Sequence, residues 1–286
     1  MKNLLLEYYG IEVNSLYKKN GKVYFRYKKN IFVLDQVHNK EDEYRILNSY
    51  YGYLYDTIII NRKGQAITKI AENKYILLKK NKHKNETDIY ETVRKNLNDL
   101  NEYKKNPKLN WTILWEEKID YYENLFKYLD NYKVIGESAP YYIGMAETAI
   151  SYIRYNFIEQ DEKMVLSHKR MDRDDYYNPV NIIVDYRTRD VAEMLKLSFY
   201  KNEYKKSKII NIVQKVNFSR NEYILLYGRL LFPSFYFDIC DQIIINQKNE
   251  EELSMIIRKS TEYEKFLNEI YIIINSKIKI PKINWV

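Results

Sequence analysis

Apolar positions alternate with polar ones through the first eighty residues and then shift to a helical period, so a strand-rich segment precedes a helix-rich one. Asn20-Gly21, between "SLYKK" and "KVYFRYK", is a two-residue hairpin signal. A second polar turn at residues 28–30 leads into a third strand, "IFVLDQV". In "KEDEYRILNSY" and the residue after it, Tyr44, Leu47 and Tyr51 suit one face of a helix. "DTIIINRKGQAITKIAENKYILLKK" then gives three short strands, with turns at residues 62–64 and 72–74. The charged stretch "KKNKHKNE", residues 79–86, is a polar break that separates residues 1–80 from residues 81–286. His83 within it reads as a solvated side chain.

Beyond the break the apolar spacing is helical. Ile119, Tyr122, Phe126 and Leu129 recur on one face of a helix over residues 111–129. Ser138 offers a cap for "APYYIGMAETAISYIRYNF", with Pro140 near the first turn and Ala146, Ile150, Ile153 and Phe157 on a common face, which predicts a buried central helix. Four further helical segments run from Glu193 to Lys277, with breaks near Asn202, Ser219, Pro233 and Asn249.

Composition narrows the class. A chain of 286 residues, 45% hydrophobic and with 31 Tyr and 10 Phe, has enough apolar material for one large domain or two lobes. One cysteine, Cys240, excludes an internal disulfide framework and fits a reducing compartment; inside its apolar run it reads as a core residue. "MKNLLLEYYG" has too short a leucine run for a signal-peptide core. The most apolar stretch, "YILLYGRLLFPSFYFDI", is interrupted by Arg229 and Pro233, so no membrane span is expected and the protein is placed inside a cell. A net charge of +8 suits nucleic acid, but basic and acidic residues read as interleaved throughout, and nucleic-acid binding is not expected.

The candidate chemistry lies in "VLSHKRMDRDDYYNPVNIIVDYRTRDVAEMLK", residues 165–196: a His, a cluster of acids, an apolar run ending in Asp185, and an Arg-Asp pair opening an amphipathic stretch. That order belongs to kinase-like phosphotransferases, which need a glycine-rich cover, a strand lysine, a base for the acceptor hydroxyl and carboxylates for magnesium. The chain has seven glycines, and Gly21 stands alone in the first hairpin. The third strand has Asp35 and Gln36 where the lysine is wanted, and a carboxylate there repels phosphate. Glu41 and Glu43, on the helix that follows, are candidates for the lysine's partner but read as solvated charges. His168 follows "MVL" as a catalytic-loop His does, in a supporting role. The base position holds Arg170, which cannot accept a proton. Asp175 falls where a metal-binding Asn would stand, and Asp185 is the candidate magnesium carboxylate, although a strand-end Asp also anchors turns.

"APYYIGMAETAISYI", "VLSHKRMD" and above all "NIIVDYRTRDVAEMLK" resemble the spore coat proteins of the YutH type, relatives of the CotS coat proteins and offshoots of the aminoglycoside-phosphotransferase-like kinase fold. The resemblance is strongest over residues 139–196. It implies an α+β, two-lobed protein-kinase-like fold, with a small antiparallel β lobe and one helix in residues 1–80. The larger, mainly helical lobe, residues 81–286, would carry a degenerate catalytic loop. In the family's enzymes an Asp followed by Leu-Ala braces that loop; Asp190 matches it, with Arg189 and Glu193 as structural companions. The enzymes read His-Gly-Asp where this chain reads His168-Lys169-Arg170.

The resemblance further implies a protein synthesised in the mother-cell cytoplasm, deposited on the endospore coat and partnered by other coat proteins, with no cofactor. Losing a base alone costs ~10²–10⁴-fold; here base, strand lysine and glycine cover fail together, so a structural pseudokinase is expected. The alternative is a small-molecule phosphotransferase in which Asp172, Asp174 or Asp175 supplies the base and Asp185 holds magnesium. In the pseudokinase reading, Arg170 is expected to face Asp185 or one of those loop acids and fill the magnesium space. Asp190 is expected to cap the helix it opens.

Overall fold

The first two strands form a hairpin because Gly21 takes the left-handed conformation (φ 75°) that its two-residue turn requires. The computed structural model describes all residues except 20, 38–54, 82–92, 94–96, 98–109, 129–131, 159–161, 172–175, 202–206, 208–209, 211, 214–215, 246–247 and 285–286. Tertiary contacts divide the chain into two compact units, residues 1–87 with 172–182, and residues 88–171 with 183–286. The helix expected at residues 40–51, with Glu41 and Glu43, lies outside the described residues, as do His83 and most of the charged break.

In the first unit, α1 (Lys2–Leu4) continues into a π turn, Leu5–Tyr9, ended by Gly10 in the left-handed region. Six antiparallel strands follow: β1 (Tyr17–Lys19), β2 (Lys22–Tyr27), β3 (Asn30–Val37), β4 (Thr57–Ile59), β5 (Ile67–Ile70) and β6 (Asn73–Lys79). The sheet runs β1-β2-β3-β6, and β6 pairs with β4 and β5 end to end along its other edge. Period-two alternation sorts the side chains. Val23, Phe25, Phe32, Leu34 and Leu77 pack with Leu4 and Leu5 on one face. Tyr24, Val33, Val37, Ile76 and Leu78 form the other. The β2–β3 turn is made by Lys28 and Lys29, both at positive φ, where glycine or asparagine is the usual choice.

A segment far along the sequence completes this unit. Tyr177 O accepts from Asp56 N at 2.9 Å, and Val180 packs on the Tyr24 face of the sheet. The 3₁₀ turn Pro179–Asn181 is capped by Asn178, whose side chain accepts from Val180 N.

The second unit contains α2 (Trp111–Phe126), α3 (Lys133–Asn156), β7 (Met164–His168), β8 (Ile182–Tyr186), α4 (Thr188–Tyr200), α5 (Arg220–Leu231), α6 (Ser234–Ile244), α7 (Glu251–Arg258) and α8 (Ser260–Lys277). β7 and β8 pair as a two-stranded sheet. Asn110 caps α2, and Ser219 with Glu222 forms a capping box on α5. The expected start of α3 is corrected. The helix begins at Lys133, Ser138 lies inside it and donates to Val134 O at 2.6 Å, and Pro140 stands well within the helix. The N-terminal amide of Ile135 is satisfied by Glu250 at 2.8 Å, a tertiary cap. The helix buried along nearly its whole length is α5, while α3 buries one face and leaves Tyr155 exposed. The final helical stretch divides at Lys259 into α7 and α8. Cys240 is buried, as expected of a core residue, and burial pushes its thiol up to about 12.

α5 meets α3 at Gly228, where an added Cβ would lie 2.5 Å from Ile153 Cγ1. Gly228→Ala gains helix propensity, about 1 kcal/mol on an open helix. At this contact overpacking opposes that gain, and the expected net effect is a loss of about 1–3 kcal/mol in urea unfolding. A stabilised variant would show that the two helices part freely.

Candidate functional site

α4 is a helix with apolar and charged residues turned inward together. Asp190, Glu193 and Lys196 are buried among Val191, Ala192, Met194 and Leu195, so each charge must find a partner. The short β7–β8 sheet sets two backbone ends beside the first turn of α4. Arg187, which precedes the helix, makes no side-chain cap; its guanidinium pairs with Glu222 of α5 instead.

Asp190 does not cap its own helix. One carboxylate oxygen accepts the backbone N–H of His168 at 2.7 Å and the other lies 2.8 Å from His168 Nδ1. Facing a carboxylate, Nδ1 carries the proton, which fixes the tautomer. Arg189 donates to the carbonyls of His168 and Lys169 at 2.8 and 3.1 Å. These contacts pin the end of β7 to α4.

Asp185 has no exposed surface. Its carboxylate accepts from Tyr186 N at 2.7 Å and Trp111 Nε1 at 3.1 Å, and it forms an ion pair with Arg189. The Arg229 guanidinium lies over the Trp111 ring, 4.6 Å from its centroid, and pairs with Glu193 at 3.1 Å. Arg189, in the first turn of α4, is therefore the cation on Asp185, the candidate magnesium carboxylate of β8. Arg170 pairs in a fork with Asp238 of α6, with Nη2 2.7 Å from Oδ1. Asp238 also takes Lys118 of α2 at 3.4 Å. Asp172, Asp174 and Asp175 lie outside the described residues. Among the described residues no group of three His, Cys, Asp or Glu is placed to hold a metal ion.

In the first unit, Asp35 lies on β3, the strand on which the sequence lacks the expected lysine. It is buried and forms a cross-strand ion pair with Lys22 at 3.0 Å. It also accepts from Asn178 Nδ2 at 2.7 Å. Asp35 shares its face of β3 with Val33 and Val37, the face on which Val180 packs.

The buried charges shift one another. Burial alone would raise the Glu193 carboxyl, but Arg229, Lys196, Arg170 and Arg189 hold it down at about 2. Burial would likewise raise Asp238, yet Arg170 and Lys118 keep it at about 2. Burial brings Lys196 down to about 7 against the pull of Glu193, while its ammonium donates to Phe232 O and Ser234 Oγ at 2.8 and 3.0 Å. Trp111, Lys118, Lys196, Arg229 and Asp238 did not appear among the candidates from sequence. The signal for two of them is visible: Arg229 and Lys196 each interrupt an apolar helix, and a cation there needs a buried partner.

The family model described as spore coat putative kinase YutH matches residues 2–270. The endospore coat-associated protein YutH of Bacillus subtilis (strain 168) is 26% identical over 208 residues, a match spanning 61% of this chain and 60% of that protein. Among solved structures, an aminoglycoside phosphotransferase from Alicyclobacillus acidocaldarius superposes with a TM-score of 0.58 at 8% identity, covering 92% of this chain and 93% of that one. The AMP-bound spectinomycin phosphotransferase APH(9)-Ia gives 0.57 at 12% identity, covering 97% and 98%. The fold is the kinase-like fold of these phosphotransferases: an antiparallel sheet followed by a mainly helical part.

Two outcomes follow from the geometry. Asp190→Ala leaves the buried His168 N–H without its acceptor and is expected to cost about 1.5–3 kcal/mol in chemical denaturation; an unchanged midpoint would remove its bracing role. Lys196 has a folded value of about 7 against an ordinary 10.5, so between those pH values the unfolded chain binds more protons. The stability lost to this group is then largest below about 7 and is recovered as pH rises toward 10.5. From pH 7 to 9, Lys196→Met is expected to flatten the rise of unfolding free energy by up to ~1.4 kcal/mol per pH unit. Parallel pH slopes for the two proteins would contradict this.

Proposed function

We propose that this chain, which belongs to the spore coat putative kinase YutH family, is a coat-associated protein that keeps the kinase-like fold without phosphotransfer. The observation that carries this reading is Asp185, buried and answered by Trp111, the Tyr186 amide and Arg189. A magnesium ion would have to displace an arginine and an indole N–H from a fully buried carboxylate. Two features support the same reading. Asp35 brings negative charge to the strand position where phosphate needs a cation, and it is held by Lys22 and Asn178. Arg170, at the base position, is held on Asp238.

On this reading His168 and Asp190 have a structural role, residues 1–80 and 81–286 descend from the two lobes of an enzyme, and the work is binding to other coat proteins. The coat-associated relative supports that setting. Synthesis in the mother cell followed by deposition on the coat is part of the proposal. The alternative, a small-molecule phosphotransferase, requires one of Asp172, Asp174 and Asp175 to serve as base and Asp185 to release Arg189 for magnesium.

Thermal and chemical unfolding with and without Mg-ATP separates the two. A ligand with low micromolar affinity would stabilise the protein by roughly 3–4 kcal/mol at about 100- to 1,000-fold excess over its dissociation constant. The expected result is no magnesium-dependent shift and no ATP turnover, with the protein recovered in coat extracts of spores from its own host. A magnesium-dependent shift or turnover supports the enzyme, and absence from coat extracts removes the coat role.

A further inference from the structure

The chain has 31 Tyr. Among the described residues five of them are exposed: Tyr17, Tyr121, Tyr128, Tyr141 and Tyr155. Tyr128 and Tyr155 are each 83% exposed, while Tyr141 is 41% exposed. Tyr141, on α3, differs from the others in its hydroxyl, which donates to Glu264 Oε1 of α8 at 2.6 Å. The other four hydroxyls make no hydrogen bond among the described residues. Burial and the neighbouring carboxylate both raise the Tyr141 phenol above its ordinary value, so it remains a protonated donor.

Removing an electron from a phenol makes its hydroxyl proton strongly acidic. Oxidation is therefore fastest where a base is already hydrogen-bonded to that proton. The rings beneath Tyr141 hold it in that arrangement. Tyr142 meets it edge-on, with centroids 4.9 Å apart, and stacks in turn on Tyr236 of α6 at 3.9 Å. Tyr236 is itself fixed by Ser138, its hydroxyl 2.9 Å from Oγ. The Tyr142 hydroxyl is buried without a hydrogen-bond partner, so an oxidation passing inward finds no acceptor for its proton and stays on Tyr141. Tyr122 is the converse case. Its hydroxyl donates to Asp241 Oδ1 at 2.6 Å, but the residue has no exposed surface. Tyr141 joins an accessible ring to a carboxylate base.

We propose that Tyr141 is a site of covalent modification by oxidative coupling to a phenol, with Glu264 as the base. A one-electron oxidant, such as a peroxidase supplied with hydrogen peroxide, removes the electron from the ring. Glu264 takes the phenolic proton in the same step and passes it to water. The Tyr141 phenoxyl radical then joins a second phenoxyl radical through a carbon–carbon bond between ortho positions. The hydrogens displaced at the new bond restore the two hydroxyls. Two phenols and one hydrogen peroxide thus give one coupled product and two waters. The chemistry uses no nucleotide, so its failure leaves the reading of Asp185 untouched, and the reverse also holds.

Brief treatment of the folded full chain with peroxidase, hydrogen peroxide and biotin-tyramide, followed by peptide mapping, tests it. Tyr141 is expected to take the label ahead of Tyr128 and Tyr155, although both are more exposed, and Tyr122 and Tyr142 are expected to stay unlabelled. Glu264→Gln keeps a hydrogen-bond acceptor but not a base. It is expected to slow labelling of Tyr141 by at least about tenfold while Tyr128 and Tyr155 react as before. Tyr141→Phe is expected to remove that label without raising the others. The ranking within the wild type needs no variant, so the proposal can fail even where a substitution unfolds the chain; melting curves show which variants are folded. Labelling that follows exposure alone, with Tyr128 and Tyr155 ahead of Tyr141, would overturn the proposal. So would a folded Glu264→Gln protein whose Tyr141 is labelled at the wild-type rate, because the carboxylate would then be only a structural partner.

Discussion

Four ionisable side chains on α4 set the terms for the larger unit. Arg189, Asp190, Glu193 and Lys196 sit within two and a half turns of one helix, and all but Arg189 are buried outright. Charges removed from water are tolerated only when paired and hydrogen-bonded. The neighbouring elements are therefore committed to them: β7 ends on Asp190, Trp111 of α2 turns its indole N–H to Asp185, α5 contributes Arg229, and the α5–α6 junction gives Lys196 a carbonyl and a hydroxyl. Truncating one member strands another, which makes this core less tolerant of single changes than an apolar one.

The smaller unit meets the same constraint with fewer groups. Asp35 is buried beneath a sheet and draws its cation from the neighbouring strand and its amide from a segment some 140 residues later, Asn178 at 2.7 Å. The chain between β7 and β8 thereby serves both units. The part from Tyr176 to Asn181 belongs with the sheet, although the residues before 172 and after 182 belong to the helical unit.

What the sequence made legible was local. Asn20-Gly21 announced a hairpin because its backbone conformation favours those residues, and alternation marked the strands that follow. The order of His168, Asp185 and Asp190 pointed to the kinase-like fold, the fold that the superposed phosphotransferases share. What stayed hidden depended on partners remote in sequence. Ser138 looked like a cap, but the amide nearest the true start of α3 is satisfied by Glu250, more than a hundred residues away. Asp190 at the head of a helix suggests capping, and only tertiary structure brings the His168 amide into its reach. The fork between Arg170 and Asp238 spans 68 positions, and nothing in the sequence signalled that partner.

That fork also bears on which substitutions the site admits. A carboxylate placed at position 170 would face Asp238, a carboxylate shared with Lys118 and held ionised by the arginine it would replace. The change would exchange a bidentate attraction for a repulsion. Positions 170 and 238 therefore behave as one unit, and a change at either asks for a matching change at the other.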